Sequence, residues 1–492
     1  MSAPPIFSAR LHAGSSEPLL TTEMLLGRGS YGDAFQVRVA PTPFSRARLP
    51  FPSTVVVKRS TVGKMFEPPL PALGPYATTA HGFPEARLAV ELGGRTPWGA
   101  LLDEEAALQR VTSKPHAGAP KSAPESAASP TWGDTDASSR AAAEKAARKV
   151  PIFPTFFGAT FARAGKEKDS KVFHLLAIES FGNDLNSWIL GDRNYFRDHA
   201  ILRMIAKQIF GLLAELHGVS GLIHRDIKPQ NILLDFSPPP GNYPLLRLCD
   251  LGTARAPPLP LAAYASPAPT VKPGEKPLWD DNFEGAASPY VCSLWYRAPE
   301  LLLGSAFYGP PVDVWSAVIT VAELFSLSET LNNAAAAAAL TARRSDGFTV
   351  SIDKKTGKPV YKGLKEGTPD SPSASEELVT IFHCGPSDAY AVLAHVSAMG
   401  IPTKADASDM RLPSSSLKWI DALTQTLLAK NGRGSGCDPT SPLPLADVLA
   451  TNFFVPADVA AVLARALVWS PSSRPTAAEL AADKVWLKYL RA

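Results

Sequence analysis

The chain has 492 residues, 45% of them hydrophobic and 19% charged, a balance typical of soluble globular proteins and too much chain for one ordinary domain. A formal net charge of +3 is too small to support binding to nucleic acid or to an anionic membrane. Proline is in excess at 47 residues, which points to long loops or insertions.

Residues 22–60 read as strands, with alternating apolar residues and a glycine cluster at 27–32. Gly27, Gly29 and Gly32 form a GxGxxG, a weak signal by itself. A dinucleotide site needs a helix directly after the glycines, whereas Asp33 to Val39 continues as a strand and a further strand ends in Lys58. A glycine hairpin followed by a lysine on a nearby strand is the arrangement that covers and pairs nucleotide phosphates. Residues 101–111 read as a helix with Leu101, Leu108 and Val111 on one face. From 113 to 149 the only large apolar residue is Trp132, so this stretch is expected to be a disordered insert.

Residues 171–190 read as a strand running into a polar turn. From 200 to 217, Ile201, Met204, Ile205, Leu212, Leu213 and Leu216 keep helical spacing. A second biased stretch, 256–289, holds eight prolines. A third, 328–376, holds Ala334 to Ala339 and two short runs, Phe348 to Ile352 and Val360-Tyr361, that suggest a hairpin. Helical periodicity returns from about 377. Because inserts interrupt an otherwise coherent pattern, one decorated domain is favoured over several.

The densest chemistry lies at His224 to Asn231. Asp226 can accept or orient the proton of an attacking hydroxyl, Lys228 can steady phosphoryl charge, and Asn231 can ligate a metal ion. Read singly, these are ordinary polar loop residues; together at this spacing they are not. Downstream, Asp250-Leu251-Gly252 follows a strand-like run and supplies a second metal ligand. Ala298-Pro299-Glu300 lies fifty residues beyond Asp250.

With these motifs in place the chain resembles the protein kinase superfamily, over about residues 20–490 excluding the three inserts. Leu294 to Ser305 resembles the CMGC group, especially cyclin-dependent kinases, and Tyr290 to Ser293 is similar to the glycogen synthase kinase branch. The resemblance implies an α+β bilobal fold. It has a small antiparallel-sheet lobe with one main helix (20–182, insert 113–149) and a larger, mainly helical lobe (183–490, inserts 256–289 and 328–376). It implies transfer of the γ-phosphoryl group of ATP, with Mg2+, to serine or threonine of protein substrates, with Arg297 and its block suggesting a following proline. Tyrosine kinases usually lack a lysine at the position of Lys228. The competing reading is a catalytically weak kinase-fold scaffold, and its usual marks are absent, since Lys58, Asp226, Asn231 and Asp250 are all present.

By the same resemblance, Lys58 holds the α- and β-phosphates and pairs with Glu104, chosen because it shares the face of Leu101 and Leu108 while Glu105 is turned about 100° away. The nucleotide site comprises Gly27, Gly29, Gly32, Ala34, Val56, Lys58, the gatekeeper Ile178, Glu179 and Phe181, whose backbones face adenine, and Asp184 at the ribose. Asp226 and Lys228 act on the hydroxyl and phosphoryl groups, and Asn231 and Asp250 hold the metal. Asp313 braces the catalytic loop and Arg474 pairs with Glu300. Ser288 and Tyr290 stand at activating phosphosites, with Arg225 and Arg255 as phosphate ligands; the third arginine position is Asp103.

Ala34 and Val56 exchange the valine and alanine usual at those positions, a swap that roughly conserves volume. Leu251 replaces a phenylalanine, and Cys249 is expected to face the nucleotide. No cyclin-binding helix signature is present, which leaves a cyclin-like or other regulatory partner open. Cys249, Cys292, Cys384 and Cys437 lie far apart without a CxxC, against a disulfide framework or zinc site. The opening MSAPPIFSARLH lacks a signal-peptide pattern, no uncharged apolar run is long enough to span a bilayer, and the final Leu490-Arg491-Ala492 excludes prenylation. The expectation is an intracellular protein of cytoplasm or nucleus, with no membrane and no nucleic-acid partner.

Overall fold

Three consecutive β-branched valines, Val55 to Val57, set the character of the smaller of two compact units, which comprises Met1–Gly182 with Arg247–Ala254. The computed structural model describes residues 20–29, 32–39, 54–62, 104, 106–108, 152–164, 171–236, 243–259, 261–264, 287–336, 349–352, 359–362, 388–431 and 444–488. The expected insert 113–149, together with Leu101, Asp103, Glu105 and Val111, lies outside the described residues.

The strands are β1 (Leu20–Gly29), β2 (Gly32–Val39), β3 (Thr54–Val62), β4 (Phe156–Ala164) and β5 (Lys171–Glu179). They form one antiparallel sheet in the order β1-β2-β3-β5-β4. The glycines sit on a hairpin as expected, with Gly27 opposite Ala34 and Gly29 opposite Gly32. Side chains alternate along β3: Val55 and Val57 are buried on one face, which puts Val56 and Lys58 on the other. Ala34 stands directly opposite Lys58, and Ile178 opposite Val56. Directly paired residues share a face, so Ala34, Val56, Lys58 and Ile178 all line the same side of the sheet. Glu104 and residues 106–108 are helical, with Glu104, Ala107 and Leu108 buried.

The larger unit comprises Asn183–Leu246 and Arg255–Ala492. It opens with β6 (Asn183–Asp184) and α1 (Leu185–Leu190), capped by the Asp184 carboxylate, which accepts from Ser187 N at 2.9 Å. Helix α2 (His199–Glu215) buries Leu202, Ile205, Ala206, Ile209, Phe210 and Leu213. The expected stripe is thus rotated: Ile201, Met204 and Leu212 are only half-buried, and Leu202, Ile209 and Phe210 take the core side. Strand β7 (Ile232–Asp235) pairs with β6, while β8 (Leu245–Leu248) runs from residues of one unit into residues of the other.

The core helix is α4 (Pro311–Asn332), which follows the short α3 (Pro299–Leu302). Helix α4 is long and apolar enough to cross a membrane by length and composition, yet 78% of its apolar window is buried inside the protein. Strands β9 (Thr349–Ile352) and β10 (Pro359–Lys362) form the expected hairpin. The helical tail follows as α5 (Asp388–Met399), α6 (Lys404–Asp409), α7 (Ser414–Asn431), α8 (Leu445–Asn452), α9 (Ala457–Ala464) and α10 (Ala477–Ala481). Thr403 with Asp406 and Thr476 with Glu479 make reciprocal capping boxes at the starts of α6 and α10. Helix α2 packs on α4 and α10.

The proline-rich stretch 256–289 is structured at both ends. Leu261–Tyr264 forms a 3-10 turn with Tyr264 buried, and Ala287 is buried as well.

Candidate active site

In the smaller unit Lys58 Nζ donates to Glu104 Oε1 at 2.6 Å and to Asp250 Oδ1 at 3.1 Å. Burial alone would lower the lysine's pKa, but the charges of Asp250 and Glu104 outweigh it and hold the ammonium well above its ordinary range. Glu104 also accepts a backbone hydrogen bond from Leu251. Leu251 is fully buried, so the aliphatic side chain fills the slot where the resemblance expects an aromatic ring. Asp250 adopts a left-handed backbone conformation with φ 64°, which a non-glycine residue rarely holds without support. Across the β2–β3 pair Arg59 bonds to Asp33, directly opposite it, and lies over the Phe35 ring, 4.7 Å from its centroid.

Ile178, Glu179 and Phe181 stand at the end of β5. Ile178 and Phe181 are buried. The Glu179 carboxylate receives Arg247 Nη1 at 2.6 Å, Thr155 N at 3.0 Å and Thr155 Oγ1 at 2.6 Å. Burial works against its ionisation, yet these donors hold its pKa below the usual range. The Arg247 guanidinium also covers the Phe181 ring at 4.1 Å from the centroid. Neither Arg247 nor Thr155 was singled out from the sequence, and neither belongs to a motif.

In the larger unit Asp226, Lys228, Asn231 and Ser293 converge. Lys228 Nζ lies 2.8 Å from Asp226 Oδ2 and donates to Ser293 Oγ at 3.0 Å. Asn231 Nδ2 donates to the Asp226 carbonyl at 2.7 Å and to its Oδ2 at 3.0 Å. Ser293 N and Oγ donate to Asp226 Oδ1 at 3.1 and 3.3 Å. The loop is held from below by Asp313 on α4. Its carboxylate accepts from His224 N at 2.7 Å and Arg225 N at 2.8 Å, with His217 Nε2 at 2.8 Å. Burial opposes its ionisation, but His217 and the His224 amide keep its pKa below normal. Those bonds also secure Arg225 at φ 69°. Asp184 uses its carboxylate on the α1 cap, with Oδ2 2.5 Å from Ser187 Oγ.

Cys292 has φ 68°, and its carbonyl accepts from Arg297 Nε at 3.3 Å and Nη2 at 2.9 Å. Arg297 Nη1 in turn donates to Asp388 on α5 at 2.7 Å. Burial, with Asp226 nearby, pushes the Cys292 thiol up to about 12, so it is a protonated, inert group at neutral pH. Ser288 is exposed and Tyr290 is 79% exposed. Arg225 Nη1 donates to the Tyr308 hydroxyl at 2.9 Å, while Arg255 pairs through its backbone with Ile223. Each set of residues therefore gathers within its own unit: Lys58, Glu104 and Asp250 in one, Asp226, Lys228, Asn231 and Ser293 in the other.

Comparison with known proteins agrees with these motifs. Protein kinase gsk31 of Schizosaccharomyces pombe is 37% identical over 124 residues, 25% of this chain and 25% of its own length. Cell division control protein 2 homolog D of Antirrhinum majus is 31% identical over 164 residues, 33% of this chain and 43% of that relative. The chain thus spans less than half the length of these relatives. Among solved structures, the CAK complex of Chaetomium thermophilum bound to ATP-gamma-S aligns with a TM-score of 0.48 at 15% identity, covering 96% of this chain and 91% of that one. The protein kinase domain model matches residues 165–486, well over half of the sequence. The chain belongs to the protein kinase family.

Proposed function

We propose that this chain is an active serine/threonine protein kinase of CMGC type, which moves the γ-phosphoryl group of ATP to a protein hydroxyl and favours targets followed by proline. The observation that carries the reading is the Asp226–Lys228–Ser293 cluster. A carboxylate and an ammonium 2.8 Å apart, both bonded to one serine, form a site that can take a hydroxyl proton and steady phosphoryl charge. Lys58, kept protonated by two carboxylates, supplies the charge for the α- and β-phosphates. Gly27, Gly29 and Gly32 bring backbone N–H groups over the nucleotide, and Ala34, Val56 and Ile178 present an apolar face to adenine beside the backbones of Glu179 and Phe181. Asp184 is assigned to the ribose.

Asn231 and Asp250 are the residues that would hold Mg2+. Each offers a hard oxygen donor of the kind that suits this ion, and Asn231 already uses its amide nitrogen on Asp226, which leaves the oxygen as its ligating atom. No cluster of three or more His, Cys, Asp or Glu suited to a metal occurs among the described residues. Bound there, the ion would neutralise charge on the phosphate oxygens.

Proline preference follows from Cys292. A carbonyl already bonded by Arg297 gives no acceptor to the N–H of the residue after the target. Proline has no N–H to leave unsatisfied, whereas other residues lose about 1–3 kcal/mol. Ser288 and Tyr290 are the proposed regulatory phosphosites, with Arg225 and Arg255 as ligands.

The test is phosphotransfer by purified protein to a serine/threonine peptide library, beside Asp226→Asn. Robust transfer with proline enriched after the target, abolished in the variant, supports the reading. Transfer that survives in Asp226→Asn, or none from the parent protein, refutes it.

A further inference from the structure

The proposed chemistry gives no reason for a buried tyrosine within the proline-rich stretch between Asp250 and Ala298. Tyr264 is 7% exposed, and its hydroxyl accepts from Leu259 N at 3.2 Å. Its ring lies flat against Gly309: a Cβ on that glycine would stand 2.6 Å from Tyr264 Cγ and 2.7 Å from Cδ1 and Cδ2. Only glycine admits the ring. From the other side the Arg411 guanidinium lies 5.0 Å from the ring centroid, and Arg411 Nη2 donates to the Ala263 carbonyl at 2.5 Å. Arg411 is itself buried, at φ 52°, with Nη1 3.4 Å from the Asp409 carbonyl. The ring thus occupies a socket with a glycine floor and a cationic cover.

The residue before that glycine holds the far end of the same stretch. The Tyr308 hydroxyl donates to the Ser288 carbonyl at 2.6 Å and accepts from Arg225 Nη1 at 2.9 Å. Ala287 N donates to Ala306 O at 2.9 Å. Tyr264 and Ser288 therefore rest on two consecutive residues, Gly309 and Tyr308. Tyr308 also joins Arg225, next to Asp226, to the backbone that leads into Cys292 and Ser293.

We propose that the dipeptide Tyr308–Gly309 fastens the activation segment at two points, the Tyr264 ring on Gly309 and the Ser288 carbonyl on Tyr308, and so holds Cys292 and Ser293 in place before any phosphate is added at Ser288. The proposal builds on the kinase reading for its consequence, though the fastening itself does not. A phosphate would order the segment through charge-assisted bonds from arginine. Here a neutral hydroxyl already links Arg225 to the segment, and a buried aromatic ring with a cationic cover adds to the hold. Phosphorylation at Ser288 then tunes turnover without being its precondition. Tyr264 and Tyr308 are positioning residues, acting through the backbone of Ser288 to Ser293.

The test uses the full chain after phosphatase treatment, with hydrogen exchange and steady-state kinetics in parallel. Expected is protection of the Ala287, Ser293 and Tyr296 amides in the dephosphorylated parent protein. Tyr264→Ala and Gly309→Ala should each speed exchange there ~10-fold, with α4 amides unchanged as the control for intact folding. Tyr264→Phe keeps the ring and should restore protection, and adding Gly309→Ala to Tyr264→Ala should cost nothing more, because the two share one contact. Tyr308→Phe should raise KM for peptide ~10-fold while leaving KM for ATP within about twofold. Loss of protection in the parent on dephosphorylation, or its persistence in Tyr264→Ala, would overturn the proposal. If no protein phosphorylates any peptide while the exchange pattern holds, the fastening stands and the kinase reading falls.

Discussion

Arg474 meets Glu300 across 174 residues of sequence in a two-pronged contact, Nη1 to Oε1 at 2.7 Å and Nη2 to Oε2 at 2.8 Å, with both side chains buried. Removing one partner strands the other charge in a low-dielectric interior. Arg474→Ala should therefore lower stability by about 3–5 kcal/mol, and Arg474→Lys should recover only part, because an ammonium cannot make the fork. Chemical denaturation of the two variants is the check.

His395 on α5 is fully enclosed beside Trp315, with ring centroids 5.0 Å apart. Burial, reinforced by the positive charge of Arg474, lowers its pKa from 6.5 to about 3. The unfolded chain therefore takes up a proton that the folded chain refuses. Its contribution is complete above pH 6.5 and drains away as pH falls from 6.5 toward 3, with a slope up to ~1.4 kcal/mol per pH unit. His395→Phe should flatten that part of the stability–pH curve.

Val56 shares its sheet face with Ala34, Lys58 and Ile178. With alanine already at 34, Val56→Ala should open a gap over adenine and weaken ATP binding ~3–10-fold. Calorimetry would decide; tighter binding would contradict the compensation between positions 34 and 56.

The Arg297 guanidinium occupies the Cys292 carbonyl. Arg297→Ala should release that acceptor and shrink the advantage of Ser-Pro over Ser-Ala peptides by ~10-fold, with KM for ATP unchanged. Paired peptide kinetics measure it.

Cys249 and Cys292 are both half-buried, but the Cys292 thiol is pushed up to about 12 by desolvation and the nearby Asp226 charge. Iodoacetamide should label Cys249 well before Cys292, and ATP should slow that labelling. Peptide mass spectrometry reads both sites.

Motifs whose residues stand close together in sequence were legible there. The run from His224 to Asn231, Asp250, and the glycine hairpin with Lys58 carry their spacing openly. Once the resemblance called for a glutamate beside Lys58, helical phase chose Glu104 over Glu105, and Glu104 is the one that Lys58 meets. The phase of α2 could not be read, because apolar residues cover more than one side of that helix. Contacts made by unremarkable residues across long separations left no trace: Arg247 with Glu179, the Tyr264 ring on Gly309, and the Arg297 grip on a backbone carbonyl have no motif or period. The proline count of 256–289 also masked the buried Tyr264, since composition averages over the one residue that packs.

Asp313 projects from the largely buried helix α4 and receives the amides of both His224 and Arg225. The loop carrying Asp226 thus cannot relax its left-handed arginine without pulling an ionised oxygen pair out of the apolar interior. Heat should consequently silence turnover and melt helix α4 in a single step, because the working loop has no independent way to soften first.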